Sequence, residues 1–158
     1  MKRILAVACS IFASAILAIP ANAGGPTRTP VPNPPFQLIG VCAFPVTLTF
    51  PVSNTYVITF TDSNGNVTRQ IFAGHVVVTF TNDLTLKSLT TNFSGPSFTT
   101  VHPDHSVTLV FVGPLGGPLS NTLLAGAGRI VFQFAPDGTL ISQTQVGHFY
   151  DVCAALAS

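Results

Sequence analysis

The sequence predicts an all-β domain, a single antiparallel β-barrel of about 8–9 strands closed by one disulfide. Three observations predict it. Apolar residues alternate with period two over long stretches. Turn residues punctuate those stretches at strand-length spacing. Two cysteines, Cys42 and Cys153, lie near the two ends of the patterned region.

The alternation begins after Phe36. Cys42, Phe44, Val46, Leu48 and Phe50 alternate with Ala43, Pro45, Thr47 and Thr49. Tyr56, Ile58 and Phe60 alternate with Val57, Thr59 and Thr61, and Val76, Val78 and Phe80 with Val77, Thr79 and Thr81. In a strand, successive side chains point to opposite faces, so this pattern makes one apolar face and one threonine face. Threonine suits the wet face because its β-branch favours extended backbone. No apolar stripe of helical period runs through the chain beyond the N-terminal segment.

Turn chemistry sets the boundaries. Asp62-Ser63-Asn64-Gly65-Asn66 predicts a hairpin, with Asn-Gly supplying the positive φ angles of a type I′ turn. Pro136-Asp137-Gly138 predicts a second tight turn. Asn82-Asp83, Ser94-Gly95-Pro96 and Pro103-Asp104 mark further turns, and Gly113 to Asn121 is the longest break. Strands are expected near 41–50, 54–61, 67–73, 75–82, 86–93, 97–102, 105–112, 123–134 and 139–152. Gly126 and Gly128 resemble a phosphate loop only superficially, since no helix pattern follows. As strand residues they permit a bend or bulge.

Closure follows from the cysteines. Cys9 falls in the N-terminal segment, which leaves Cys42 and Cys153 as an even pair. A bridge between them would close a loop of about 110 residues and contribute roughly 4–5 kcal/mol in the chain-entropy model. It would also hold the first and last strands close, which favours a barrel. Few lysines guard a sheet edge, and a barrel has no edge to guard. A β-sandwich with a Greek-key crossing at 113–121 is the alternative.

Three segments are expected: a signal peptide over 1–23, a Pro-rich flexible tether over 24–36, and the barrel domain over 37–158. Lys2 and Arg3 form a positive start, Ile4 to Ile19 is apolar, and Ala21-Asn22-Ala23 is a cleavage signal, cut between Ala23 and Gly24. A lipid-attachment reading at Cys9 puts half the apolar run on the wrong side of the cysteine. The expected location is secreted, with no membrane span after cleavage, because no later segment is apolar for about 18 residues. Prolines 26, 30, 32, 34 and 35 favour extended backbone in the tether.

Charge excludes some partners. Beyond residue 23 the bases are Arg28, Arg69, Lys87 and Arg129, and the acids are five aspartates with no glutamate. Such a balance gives no footprint for nucleic acid. It also leaves little for paired-carboxylate chemistry, since Asp62, Asp83, Asp104 and Asp137 all fall in turns. No G-x-S-x-G elbow occurs. Candidate catalytic residues are His148, Tyr150 and Asp151, a polar group next to Cys153. His102, Asp104 and His105 are a candidate metal-ligating turn, lacking a third ligand of assigned position beyond that turn. Each group also has an ordinary reading, as a hydrogen-bond network or as turn chemistry. No cofactor is expected.

Cys42-Ala43-Phe44-Pro45-Val46 and Gly147-His148-Phe149-Tyr150-Asp151-Val152-Cys153-Ala154-Ala155-Leu156 resemble a pattern in small exported bacterial proteins of unknown function. The resemblance implies a bacterial source and a paired disulfide, and brings no activity or site residue. The alternating strands with a Gly-rich late strand are similar in architecture to small lipocalin-like and allene oxide cyclase-like barrels. The functional expectation is a secreted, non-enzymatic binding or surface module, with a small apolar ligand or a protein as partner. The alternative is a barrel cyclase, isomerase or hydrolase using His148, Tyr150 and Asp151.

Overall fold

The computed structural model describes residues 25–119 and 122–157. The signal-peptide segment 1–23 and the cleavage point Ala23–Gly24 lie outside the described residues. The described chain is all-β, with nine strands in one antiparallel sheet and one short helix. The strands are β1 (Thr27–Val31), β2 (Phe36–Leu38), β3 (Val46–Thr61), β4 (Val67–Asn82) and β5 (Ser88–Asn92). They continue as β6 (Ser97–Val101), β7 (Val107–Leu119), β8 (Thr122–Phe134) and β9 (Leu140–Asp151), and helix α1 (Val152–Ala157) follows. The order across the sheet is β1-β3-β4-β6-β7-β8-β9, with β2 also on β3 and β5 also on β4.

Several expected breaks are absent. The pieces 41–50 and 54–61 join from Val46 onward as β3, through a register shift between Thr49 and Val52 that takes in Pro51. Proline lacks the N–H that a regular ladder needs, and a bulge tolerates it. The pieces 67–73 and 75–82 are likewise one strand, β4, continuous through Gly74 at φ +135°. A Cβ on Gly74 would overlap the carbonyl oxygen of Asn54, so only glycine lets β3 and β4 approach there.

The Gly-Pro stretch expected as a long crossing is itself strand. Gly113 to Leu119 is the second half of β7 and pairs with Thr122 to Gly128 of β8. The Greek-key crossing is therefore a hairpin. Pro114 and Pro118 fit because β6 pairs with β7 only over Val107–Phe111, so little is asked of the far side of β7 beyond that point. Gly95 N–H still donates to Pro114 C=O at 2.9 Å, a bond that needs only the carbonyl.

Part of the expected tether is also ordered. Thr27–Val31 pairs with Thr55–Thr59 as β1. Its Pro30 is tolerated because β1 is an edge strand. Asn33 donates from Nδ2 to both Ser53 Oγ and Thr55 Oγ1 at 2.8 Å, and the Thr55 hydroxyl donates to Val31 C=O. The Arg28 guanidinium lies 3.7 Å from the centre of the Tyr56 ring, a cation–π contact on the same strand pair.

The disulfide forms, but the barrel does not close. Cys42 and Cys153 are bridged with Cα atoms 5.4 Å apart. Yet β1 and β9 are the two ends of the strand order, and neither pairs with the other. Neither cysteine sits in a strand: Cys42 precedes β3 and Cys153 is in α1. The bridge thus ties a bend to a helix and needs no strand pairing between the ends.

What it latches is the core. Val46 and Leu48 of β3, with Val76, Val78 and Phe80 of β4, form one cluster with Leu123 and Ala125 of β8 and Val152 and Leu156 of α1. β8 is not a ladder neighbour of β3 or β4, so the sheet curls to bring these faces together. Buried Asn82 fixes the helix end, donating from Nδ2 to Leu156 C=O at 3.2 Å and accepting the Leu84 N–H at Oδ1. Asp83 Oδ2 accepts from Gln37 Nε2 at 2.7 Å and Thr47 Oγ1 at 3.0 Å, which pins β2 and β3 to the same corner.

Candidate functional site

The start of β8, Leu123 to Gly126, is apolar on both faces. Leu123 and Ala125 enter the core, while Leu124, Ile130, Phe132 and Phe134 point to the other side. That second face lines an open trough of about 330 Å³. β7 contributes Leu109, Phe111 and Leu115, and β9 contributes Phe149. Gly116, Gly117, Pro118 and Leu119 form part of the lining at the hairpin end.

The aromatic rings are organised. Phe111 meets Phe132 edge to face at 6.1 Å between centroids and 87° between planes. Phe132 stacks against Phe134 at 6.2 Å and 23°. Both are favoured aromatic geometries. Glycines let β8 and β9 approach closely beside them. Gly128 faces Gly147 across the β8–β9 pair, and a Cβ on either would overlap backbone of the other strand. The walls are carbon almost throughout, so the trough offers contact area and little hydrogen bonding.

The sequence-predicted polar residues lie elsewhere. His148 and Tyr150 are exposed on β9, opposite Ala127 and Ala125. Asp151 is exposed and accepts the Ala154 N–H at 3.1 Å, capping α1. None of the three lines the trough, whose only β9 residue is Phe149.

His102, Asp104 and His105 stay together, but as a turn. His105 N–H donates to His102 C=O at 2.9 Å, and Asp104 Oδ1 accepts the Ser106 N–H and hydroxyl. His102 Nε2 shares a 2.9 Å hydrogen bond with Thr108 Oγ1. Among the described residues no three His, Cys, Asp or Glu side chains group to hold a metal ion. A second, more open depression is lined by His102, Asp104, Thr108, Gln133 and Ile141, and it meets the trough at Phe134.

Three hairpin turns share one design. Gly65 N–H donates to Asp62 C=O, Gly138 N–H to Ala135 C=O, and His105 N–H to His102 C=O. The last residue of each adopts positive φ: +85° at Gly65, +84° at Gly138 and +66° at His105. This is the pattern of a type I turn followed by a left-handed residue, not the expected type I′ turn, because Asn64 keeps a negative φ. An aspartate in each turn accepts the backbone N–H two residues on. Hydrogen bonds hold the carboxyls of Asp62, Asp104 and Asp137 below the usual carboxylate range, the main donors being the Asn66 side chain and N–H, the Ser106 hydroxyl and N–H, and Thr139.

His105 stands where the other two turns have glycine. A left-handed conformation strains a residue with a Cβ. Replacing His105 with glycine is therefore expected to raise stability by about 0.5–1 kcal/mol, part of the relief being offset by a more flexible unfolded chain. Chemical denaturation of the two proteins checks this, and a loss of stability would mean that the imidazole makes a contact that matters.

Protein-family models, curated proteins and solved structures contain no match to this chain. The reading of its function therefore rests on geometry. The residues that form the trough escaped sequence reasoning because a phenylalanine in a strand looks the same whether it fills a core or lines a cleft. The available signal was Leu124, Ile130, Phe132 and Phe134 at even positions beside Leu123 and Ala125 at odd ones. A strand apolar on both faces must bury both or leave one for something else.

Proposed function

We propose that this protein is an exported, non-enzymatic binding module whose trough takes a small apolar ligand. The observation that carries the reading is the aromatic wall of Phe111, Phe132, Phe134 and Phe149 lining a cleft of about 330 Å³. That volume is at the small end of ligand pockets, which are typically about 300–1,000 Å³. An apolar cleft open to water gains free energy when a ligand displaces that water. Export is supported by the N-terminal pattern and by the disulfide, which persists in an oxidising compartment. Among the described residues no helix is long and apolar enough to cross a membrane.

The test is titration of the purified domain with an uncharged fluorescent probe such as Nile red. Saturable binding with a blue shift is expected. Phe132→Asp places a carboxylate in the middle of the aromatic wall and should weaken binding by roughly tenfold or more, since burying one aromatic contributes about 1.5–3 kcal/mol. Far-UV circular dichroism confirms that the variant is folded. Probe binding that is absent in the parent, or unchanged in the folded variant, would overturn the reading.

A further inference from the structure

The two edges of the sheet differ in how they meet solvent. β1 is five residues long and carries Pro30, which cannot donate to a neighbour. β9 runs twelve residues, Leu140 to Asp151, and pairs with β8 alone. Its other side presents a row of backbone N–H and C=O groups to solvent. Natural edges are guarded by lysine, proline, a bulge or an inward charge. From Leu140 to Tyr150 this strand has no charged residue and no proline. Its one register shift lies at the very start, opposite Gln133 and Phe134. Leu140, Ile141, Val146 and Tyr150 are exposed along it.

We infer that β9 is a homodimerisation edge, joining two copies of this chain by antiparallel β9–β9 pairing into one continuous sheet. The side-chain pattern of β9 matches its own reverse, which selects a second copy as the occupant, and the uncharged run from Leu140 to Tyr150 sets no like charges against it. A two-fold axis through a single residue is the only symmetric antiparallel register that keeps directly opposed side chains on the same face. With the axis at Gln145, Leu140 faces the partner's Tyr150 and Ile141 faces the partner's Phe149, so exposed apolar ends meet at both ends of the pair. Ser142 faces the partner's His148, and polar Gln145 meets its own copy at the centre. The only charge on β9, Asp151, lies at the far end of the strand, so the two copies' carboxylates are kept apart by the length of the pairing. Arg129, opposite Val146, belongs to β8 and stands one strand back from the new pairing in each copy. No like charges of β9 stand directly opposite one another. The pairing spans about 36 Å and closes roughly ten backbone hydrogen bonds. A two-fold contact uses the β9 edge of both copies, so this pairing stops at two.

The experiment is sedimentation equilibrium of the chain beyond the signal segment, over a hundredfold concentration range. Twice the chain mass is expected. Gln145→Lys sets two ammonium groups against each other at the axis and adds an edge guard, and it should give monomer with an unchanged circular dichroism spectrum. Gln145→Glu should do the same. An equimolar mixture of the two variants should recover the dimer, because the axis then holds opposite charges. A monomeric parent at every concentration, open-ended assemblies, or a dimer indifferent to Gln145→Lys would each overturn the proposal.

Discussion

Replacing both Cys42 and Cys153 with serine will lower the stability of the domain by about 4 kcal/mol and its melting temperature by roughly 15 °C. The bridge spans 111 residues of sequence, so it restricts the unfolded chain over nearly the whole domain. The chain-entropy model gives about 4–5 kcal/mol for a loop of this length, and residual structure in the unfolded chain trims that figure. A second effect adds to the first. α1 has six residues, too few to hold helical structure alone. Without the bridge, the hold of Val152 and Leu156 on the core rests more heavily on their own burial and on Asn82. The double substitution is the right variant, because a single one leaves a reactive thiol. Denaturant unfolding of parent and variant gives the difference directly. A loss under about 1 kcal/mol would show that strand pairing, not the latch, holds the curled sheet.

Phe80→Ala should cost about 3–5 kcal/mol. The Phe80 side chain is fully buried, at 0 % exposure, and is the largest such side chain in the core. Its ring lies 5.7 Å from that of Phe93 and contacts the same cluster as Leu48, Leu123 and Val152. Removing it leaves a cavity that cannot collapse easily, because β3 and β4 are fixed by their ladder and α1 by the disulfide. The comparison with Phe132→Asp is informative. Phe132 is only half-buried and faces the trough, so its loss should fall on ligand binding rather than on folding. If both variants unfolded the protein equally, the trough would be core by another name and the binding proposal would lose its support.

The turns show how far local chemistry carries. Asp62, Asp104 and Asp137 were legible as turn residues, and each accepts a backbone N–H two residues on. The turn type was not legible, because Asn-Gly permits positive φ at both positions and the chain uses it only at Gly65. The metal reading of His102, Asp104 and His105 had the same source. Pro-Asp in a turn and a liganding pair look alike until the third ligand is sought in space. The placement of His148, Tyr150 and Asp151 also needed the fold. Alternation along β9 puts His148 and Tyr150 together on the face away from Phe149 and the trough, and Asp151 caps α1.

The barrel expectation failed at an instructive point. Two cysteines near the ends of a β-rich chain require only that two Cα atoms come within reach. They do not say that strands are what approach. Six residues of helix, read as the tail of a strand, supplied Cys153 instead. A helix this short leaves no periodicity to detect.

By itself the sequence determined the all-β character, the positions of the tight turns and the pairing of Cys42 with Cys153. These depend on local backbone preference and on the count of thiols, which act over a few residues or not at all through space. Tertiary structure decided that the sheet stays open and that 113–119 is strand. It also decided that one face of β8 joins the core while the other lines a trough. Those outcomes depend on which apolar faces find each other. Leu123 and Leu124 are chemically identical, and only the curl of the sheet sends one into the core and leaves the other lining the trough.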